Sequence, residues 1–443
     1  MTAPSTISAG DTAWVLCGAA LVMLMLPGLA LFYGGLVREK SSLNTIMMSM
    51  AALGLVSVQW VLFGYSLAFA PGTPFIGGLQ WAGFAGVGGD PNPAYAATIP
   101  HLAFAAFQVM FAAITVALIS GAVVERLNFR VYLLFVLAWT VVVYDPLAHW
   151  VWGDGGWLHK LGALDFAGGT VVHVSAGTSA LVAAIMLGRR RDLGRAALVP
   201  HNVPFTVIGA GLLWFGWFGF NAGSALAANE VAANAFVTTH TAAASALLTW
   251  LLIDLVRTGR ATAVGSATGA VVGLVAITPA AGFVTPRAAI AIGILAAGAS
   301  YAAMQLRART SVDDALDVFA CHGVAGMLGA LLTGVFATKA VNAAGGDGLL
   351  AGNPGQLLVQ ATAIGATVVL AAAATAGILF VLELTMKLRV PIADEIAGVD
   401  RSEHGEEAYH GSDLGGLAQG GSLGGSVVIS TGDLRDRSSR TAA

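Results

Sequence analysis

Two histidines stand inside long apolar runs, His173 in DFAGGTVVHVSAG and His322 in DVFACHGVAG. Each follows an aspartate, Asp165 or Asp317, within about two helical turns, and small residues come after it. Imidazole changes charge near neutral pH, and two rings side by side can share a proton and exchange hydrogen bonds with a small polar solute. A single such histidine is explained as well by a hydrogen bond between helices. A pair at matching places in two halves argues instead for a solute path. Asp165 reads equally as a helix N-terminal cap or as a direct cation contact, and Asp317 as structural by the capping logic. His101, His149, His159 and His201 fall near the ends of apolar runs, and His404 and His410 in a polar tail, so all six read as interfacial or solvated; His240 has no assigned role. Aromatic residues give a second signal. Phe107 and Phe111 share a helix face at i, i+4, Trp152 ends a later run, and Trp217 and Phe220 are followed by Ser224. Each alone reads as packing or as an interfacial belt. Converging on a desolvated cation, such rings contribute about 0.5–2 kcal/mol apiece, although spacing alone does not bring them together.

The elements that carry these residues are membrane helices. Of 443 residues, 57% are hydrophobic and only 10% charged, where soluble domains carry about a quarter. Mean hydropathy is +0.79. The 57 glycines suit close backbone packing in lipid. The net charge of −3 gives no sign of nucleic-acid binding, and Cys17 and Cys321 alone support neither a disulfide framework nor a cysteine metal site. No Lys or Arg precedes the first apolar run, which therefore reads as a retained span rather than a signal peptide. About eleven runs reach spanning length, centred near Leu24, Val56, Ala113, Ala138, Ala180, Leu213, Ala244, Val271, Leu295, Gly329 and Val369. They lack the alternation of barrel strands. Arg and Lys concentrate in alternate connections: Arg38 and Lys40; Arg126 and Arg130; Arg189, Arg190, Arg191 and Arg195; Arg257 and Arg260; Arg307 and Arg309. The intervening connections hold only Lys160, Arg287 and Lys339, which predicts an external N-terminus and a cytoplasmic C-terminus. The expected fold is all-α: two inverted five-helix repeats, about 12–187 and 203–338, then a further helix at about 355–388, together a transmembrane domain over 1–388. Residues 389–443 read as a cytoplasmic regulatory tail, disordered beyond about 411, where Gly and Ser dominate, while EIAGVDRSEHGEEAYHG before that point reads as able to dock on the inner face.

Seven segments in order, PGLALFYGGLVR, FQVMFAAITVALISGAVVER, HWVWGDGGW, DFAGGTVVHVSAGTSAL, LLWFGWFGFNAGSA, DVFACHGVAG and VDRSEHGEEAY, resemble the ammonium transporter (Amt/MEP/Rh) family over residues 12–410. The resemblance implies a homotrimer in the cell membrane with one pore per subunit. Phe111, Trp152 and Ser224 would form an external ammonium site, supported by Asp165. Phe111 and Phe220 would stack as a gate, with Phe107 and Trp217 beside them, and His173 and His322 would be the twin histidines of the pore. Trp152 and Ser224 place the chain nearer the Amt branch than the Rh branch. Two features depart from the pattern and bear on the outer mouth: Asp145 ahead of Pro146, and the length of the 152–165 loop with its acidic Asp154. A PII-type signalling protein on the cytoplasmic face is an implied partner. No cofactor, metal or enzymatic activity is expected. The competing reading is an ammonium sensor that signals through the tail. A proton-coupled carrier of another solute would need more charge at mid-membrane depth.

Overall fold

A computed structural model describes residues 6–194 and 199–409. Arg195, His410 and the expected disorder beyond 411 lie outside the described residues. Two compact units emerge, Met1–Ala408 and Tyr409–Ala443, and of the second only Tyr409 is described.

The first unit is all helical, with three isolated β-bridges and no strands among the described residues. Among the described residues, ten helices are long and apolar enough to cross a membrane: α1 (Ala9–Leu36), α2 (Glu39–Phe69), α3 (His101–Val123), α4 (Phe129–Leu161, interrupted at residues 153–156), α5 (Gly169–Leu187), α6 (Val203–Ala222), α7 (Glu230–Thr258), α9 (Pro286–Arg307), α10 (Phe319–Phe336) and α11 (Gly355–Thr385). The run centred on Val271 becomes α8 (Ala263–Ile277), shorter at 15 residues. It is enclosed continuously from Ala267 to Ile277 and gives way to a turn over 278–283. Two short helices follow α11, namely α12 (Ile392–Ala397) and α13 (Val399–His404).

Side chains sort as lipid solvation demands. Leu252, Val256, Leu358 and Val369 point outward, whereas Thr115, Ser179, Thr239 and Thr367 are buried. Asn202, Asn229, Thr262 and Thr285 cap α6 to α9 by accepting from backbone N–H groups of the first turns.

Helices α5 and α10 exchange a contact. Gly177 stands four residues after His173, and a Cβ there would lie 2.1 Å from the N of Gly323, in the turn of His322. Gly326 stands four residues after His322, and a Cβ there would lie 3.0 Å from the Cβ of His173. Glycine at each point lets one histidine-bearing turn seat against the other.

One face gathers the arginines. Glu125 accepts from Arg38 (2.8 Å) and Arg190 (2.9 Å), Arg190 also pairs with Asp313 (2.9 Å), and Arg126 donates to the Gly188 and Asp313 carbonyls. Residues 389–404 pack onto this face. Glu395 pairs with Arg389 (2.7 Å) and accepts from the Arg191 N–H (2.7 Å), while the Asp400 carboxylate accepts from the N–H groups of Leu43 and Asn44 (2.9 and 2.8 Å).

Candidate functional site

Three cavities follow one another through the first unit, the first two joined by a stacked pair of rings and the last two sharing lining residues. On the face opposite the arginines, an aromatic cavity of about 210 Å³ is lined by Tyr95, Phe104, Gln108, Phe111, Trp152 and Ser224 among others. A throat of about 10 Å³, roughly the space of one water, lies among Phe220, Trp217, His173, His322, Leu29 and Ile114. On the arginine side, a cavity of about 170 Å³ again touches Phe32, Val271 and His322, and adds Asp317 and Cys321.

Between the aromatic cavity and the throat stand two rings. Phe111 from α3 and Phe220 from α6 stack with centroids 4.2 Å apart and planes 23° apart. Phe107 packs edgewise on Phe111 at 4.9 Å, and Trp152 stands nearly perpendicular to it at 6.1 Å. The Trp152 indole N–H donates to the Asp165 carbonyl (2.8 Å), so the ring offers the cavity only its surface. Ser224 donates its hydroxyl to the Phe220 carbonyl (2.8 Å) and keeps its oxygen lone pairs for a donor. Burial pushes the Tyr95 hydroxyl up to about 12, so this wall residue is uncharged at neutral pH.

Past the stacked rings, Trp217 lies face-on to His173 (5.4 Å, 21°), tied by its N–H to Thr278 Oγ1 (2.9 Å). The Nδ1 atoms of His173 and His322 are 3.3 Å apart, and His173 Nε2 has no partner. With both rings neutral, one Nδ1 donates and the other accepts. The two Nε2 atoms are then of opposite kind, one an acceptor and one an N–H donor. The pair thus offers a small solute both halves of a hydrogen bond.

Both histidines sit on π-helical turns, Gly169–Val174 and Phe319–Val324, and Phe220 on a third, Phe218–Ala222. A π-turn adds one residue to the helical repeat, re-aims the side chains it carries and is frequent at functional sites. Each histidine turn opens on a carboxylate eight residues earlier. Asp165 accepts from the N–H groups of Gly168 (2.8 Å), Gly169 (2.5 Å), Thr170 (2.8 Å) and Val171 (3.2 Å), and from the Thr170 hydroxyl. Of its two open readings, capping is the one realised. Asp314 does the same for Val318 (3.0 Å) and Phe319 (2.7 Å). This corrects the capping expected of Asp317. That residue has φ +56, pairs with Arg307 (2.5 Å) and lines the arginine-side cavity. The sequence signal for Asp314 was its offset, since 165 to 173 and 314 to 322 are the same step.

Several histidines are also not solvated. His149 is fully buried between the Ala68 and Thr73 carbonyls (2.9 and 2.8 Å), and His101 is buried against the Tyr65 hydroxyl (2.5 Å) and the Trp81 ring. His404 packs on Phe129 (4.7 Å) and contacts the Asn44 amide (3.1 Å). His159 is exposed, at the edge of the aromatic cavity. Asp145 is wholly buried, accepts from Gln59 Nε2 (2.7 Å) and is absent from the aromatic cavity's lining. No cluster of metal-ligating side chains occurs among the described residues. Gln108 and Tyr95 are cavity residues that motif reading passed over, each having looked like one more residue of an apolar helix or a loop.

An all-helical, multi-pass membrane protein traversed by cavities that narrow at stacked rings and a histidine pair belongs to the class of solute transporters. The Ammonium Transporter Family model matches residues 13–409, and the chain belongs to that family. It is 50% identical to an ammonium transporter of Bacillus subtilis over 404 residues, covering 91% of this chain and 99% of the relative. Among solved structures it is similar to Saccharomyces cerevisiae Mep2 (TM-score 0.82, 38% identity, 87% and 90% of the two chains). It is similar also to a sensor Amt protein (TM-score 0.82, 29% identity, 89% and 98%).

Proposed function

We propose that this protein carries ammonium across the cell membrane. In this reading the cation is drawn into the aromatic cavity by the faces of Phe111 and Trp152 and the Ser224 oxygen, with Asp165 holding the surrounding backbone. It sheds a proton at the Phe111–Phe220 stack, flanked by Phe107 and Trp217, passes His173 and His322 as ammonia, and is reprotonated on the arginine side. One observation carries the reading: a cavity able to hold a cation is separated by stacked rings from a throat with room for about one water and a donor–acceptor imidazole pair. Desolvating an ion for such a throat costs far more than desolvating a neutral amine. Potassium matches ammonium in charge and nearly in size but has no proton to lose, so the throat rejects it. The arrangement expected in the membrane is a homotrimer, N-terminus outside, with the latched C-terminal segment available to a PII-type protein on the cytoplasmic face.

The test is charge movement in proteoliposomes holding the full chain, after matched pulses of ammonium and potassium. Current with ammonium alone supports selective, electrogenic transport. No current, but an ammonium-driven rise in internal pH, supports a neutral ammonia path. Neither response, together with retention of a signalling partner, would replace transport by the sensor reading. That alternative draws on the likeness to a sensor Amt protein and on the contacts of residues 389–404 with α2 and α4.

A further inference from the structure

We infer that Gln108 is a direct ligand of the ammonium cation, its amide oxygen being the second oxygen acceptor of the aromatic cavity beside Ser224. The inference deepens the transport reading and rests on it. Phe104, Gln108 and Phe111 fall at i, i+4 and i+7 on α3 and all line the 210 Å³ cavity. Gln108 is 9% exposed, and its Oε1 is sealed from solvent without a hydrogen-bond partner. Buried amide oxygens are seldom left so in folded proteins. The terminal torsion of glutamine is soft, and a half-turn about it exchanges Oε1 and the amide nitrogen; in the inference it is this exchange that turns the oxygen to the cation.

The inventory of the cavity shows what the oxygen is for. Ammonium has only donors, and in water each N–H points at an oxygen. Trp152 has committed its N–H to Asp165 and Phe111 has no polar atom, so both present ring faces. Ser224 presents one oxygen, its own proton being held by the Phe220 carbonyl. The Tyr95 hydroxyl donates to the Phe69 carbonyl and already accepts from the Asp154 N–H (3.1 Å), so two faces and one uncommitted oxygen leave an N–H short of an acceptor, and Gln108 is the lining amide with an unpaired one. An amide oxygen also coordinates bare cations, so Gln108 sets capture rather than discrimination against potassium, which the throat decides. It does bear on alkyl amines. In methylammonium a methyl replaces one N–H, and each acceptor in the cavity raises the cost of that replacement.

The test uses the full chain in proteoliposomes and initial rates of isotope-labelled ammonium and methylammonium uptake, a readout that serves for electrogenic and neutral transport alike. Gln108→Leu keeps the size and removes the acceptor. The charge-assisted hydrogen bond it deletes corresponds to about a tenfold rise in half-saturation for ammonium. The maximal rate should stay within about twofold, because only capture is weakened. The preference for ammonium over methylammonium should narrow. Gln108→Glu retains an oxygen acceptor and should bring half-saturation back to the wild-type value or below it. Gln108→Met, of equal length and without an acceptor, takes the place of the leucine variant if that one fails to reach the membrane. Unchanged half-saturation and an unchanged amine preference in the leucine or methionine variant overturn the inference, as does a loss of maximal rate alone. Wild-type protein that takes up no ammonium overturns transport itself, before any variant is measured.

Discussion

At the scale of single residues, the histidine pair has the most to lose by substitution. His173 and His322 touch through their Nδ1 atoms, 3.3 Å apart, and both line the throat. Either ring replaced by alanine removes one half of the donor–acceptor pair and widens a space of about 10 Å³. His173→Ala and His322→Ala should therefore each cut ammonium flux by about tenfold, the worth of one lost hydrogen bond, or else admit potassium through the widened throat. Uptake and potassium current measured side by side in the two variants separate these results, and normal behaviour in both would remove the rings from the path. Both histidines were legible in the sequence because an ionisable group in an apolar run is expensive and so conspicuous. Gln108 was not, since an uncharged amide stands out little in a helix, and its meaning depends on Ser224, 116 residues further along the chain. The reading of His149 as interfacial or solvated missed its burial for a related reason: proximity to a helix end does not reveal that the Ala68 and Thr73 carbonyls enclose the ring.

Helices were easier to read than their irregularities. Each of the eleven expected centres falls in a helix, because twenty apolar residues in lipid have little choice but to satisfy their backbone internally. The π-turns left no comparable mark, since they come from packing and not from composition. The capping aspartates fall between these cases. Asp314→Ala removes the oxygens that accept from Val318 and Phe319, at a cost of about 1 kcal/mol, typical of a lost cap, and it loosens the turn that aims His322. Asp317→Ala should leave that turn capped and free Arg307 instead. Thermal unfolding and uptake of the two variants, compared directly, distinguish cap from ion pair. The ends of α1, α3 and α5 and the start of α10 are held by Arg38, Glu125, Arg190 and Asp313. Burial raises the Glu125 and Asp313 carboxyls, but hydrogen bonds and charge from Arg38, Arg190 and Arg126 outweigh it and hold both below their ordinary values. A folded-state value below the unfolded one contributes stability above the unfolded value, and that contribution is lost as pH falls through the folded one. The contribution of these two carboxyls to melting in detergent, read as the difference between the wild type and Arg190→Ala, should thus hold steady from neutrality down to about pH 4.5, the ordinary carboxylate range, and decline below it. Arg190→Ala leaves two buried carboxylates short of a partner and should cost about 3–5 kcal/mol at neutral pH. A flat pH profile down to pH 3 would mean that these pairs contribute little to the fold.

At the scale of the whole molecule, the arginines bear on which way it sits in the bilayer. Arg38, Arg126, Arg190 and Arg389 meet on one face in a network that also receives residues 389–404. The aromatic cavity opens on the other face, near Tyr95 and His159. The sequence contained this asymmetry as an alternation of basic and nearly neutral connections, but not the joining of the basic ones into a single cluster, which arises only when helices distant in the chain pack together. Positive charge in short connections stays in the cytoplasm, so the aromatic cavity should face outside, where ammonium is met. The direction can be measured with Cys17 and Cys321 replaced by alanine and one cysteine introduced at a time. Asp90 lies in the connection between α2 and α3, and Arg260 in that between α7 and α8. A membrane-impermeant maleimide added to intact cells should label the Asp90→Cys variant at once, and the Arg260→Cys variant only after the cells are opened. The reverse pattern would put the aromatic cavity in the cytoplasm and turn the proposed recruitment site into an exit. Labelling of both variants in intact cells would mean that the protein inserts in two orientations, and flux would then have to be assigned to each population separately.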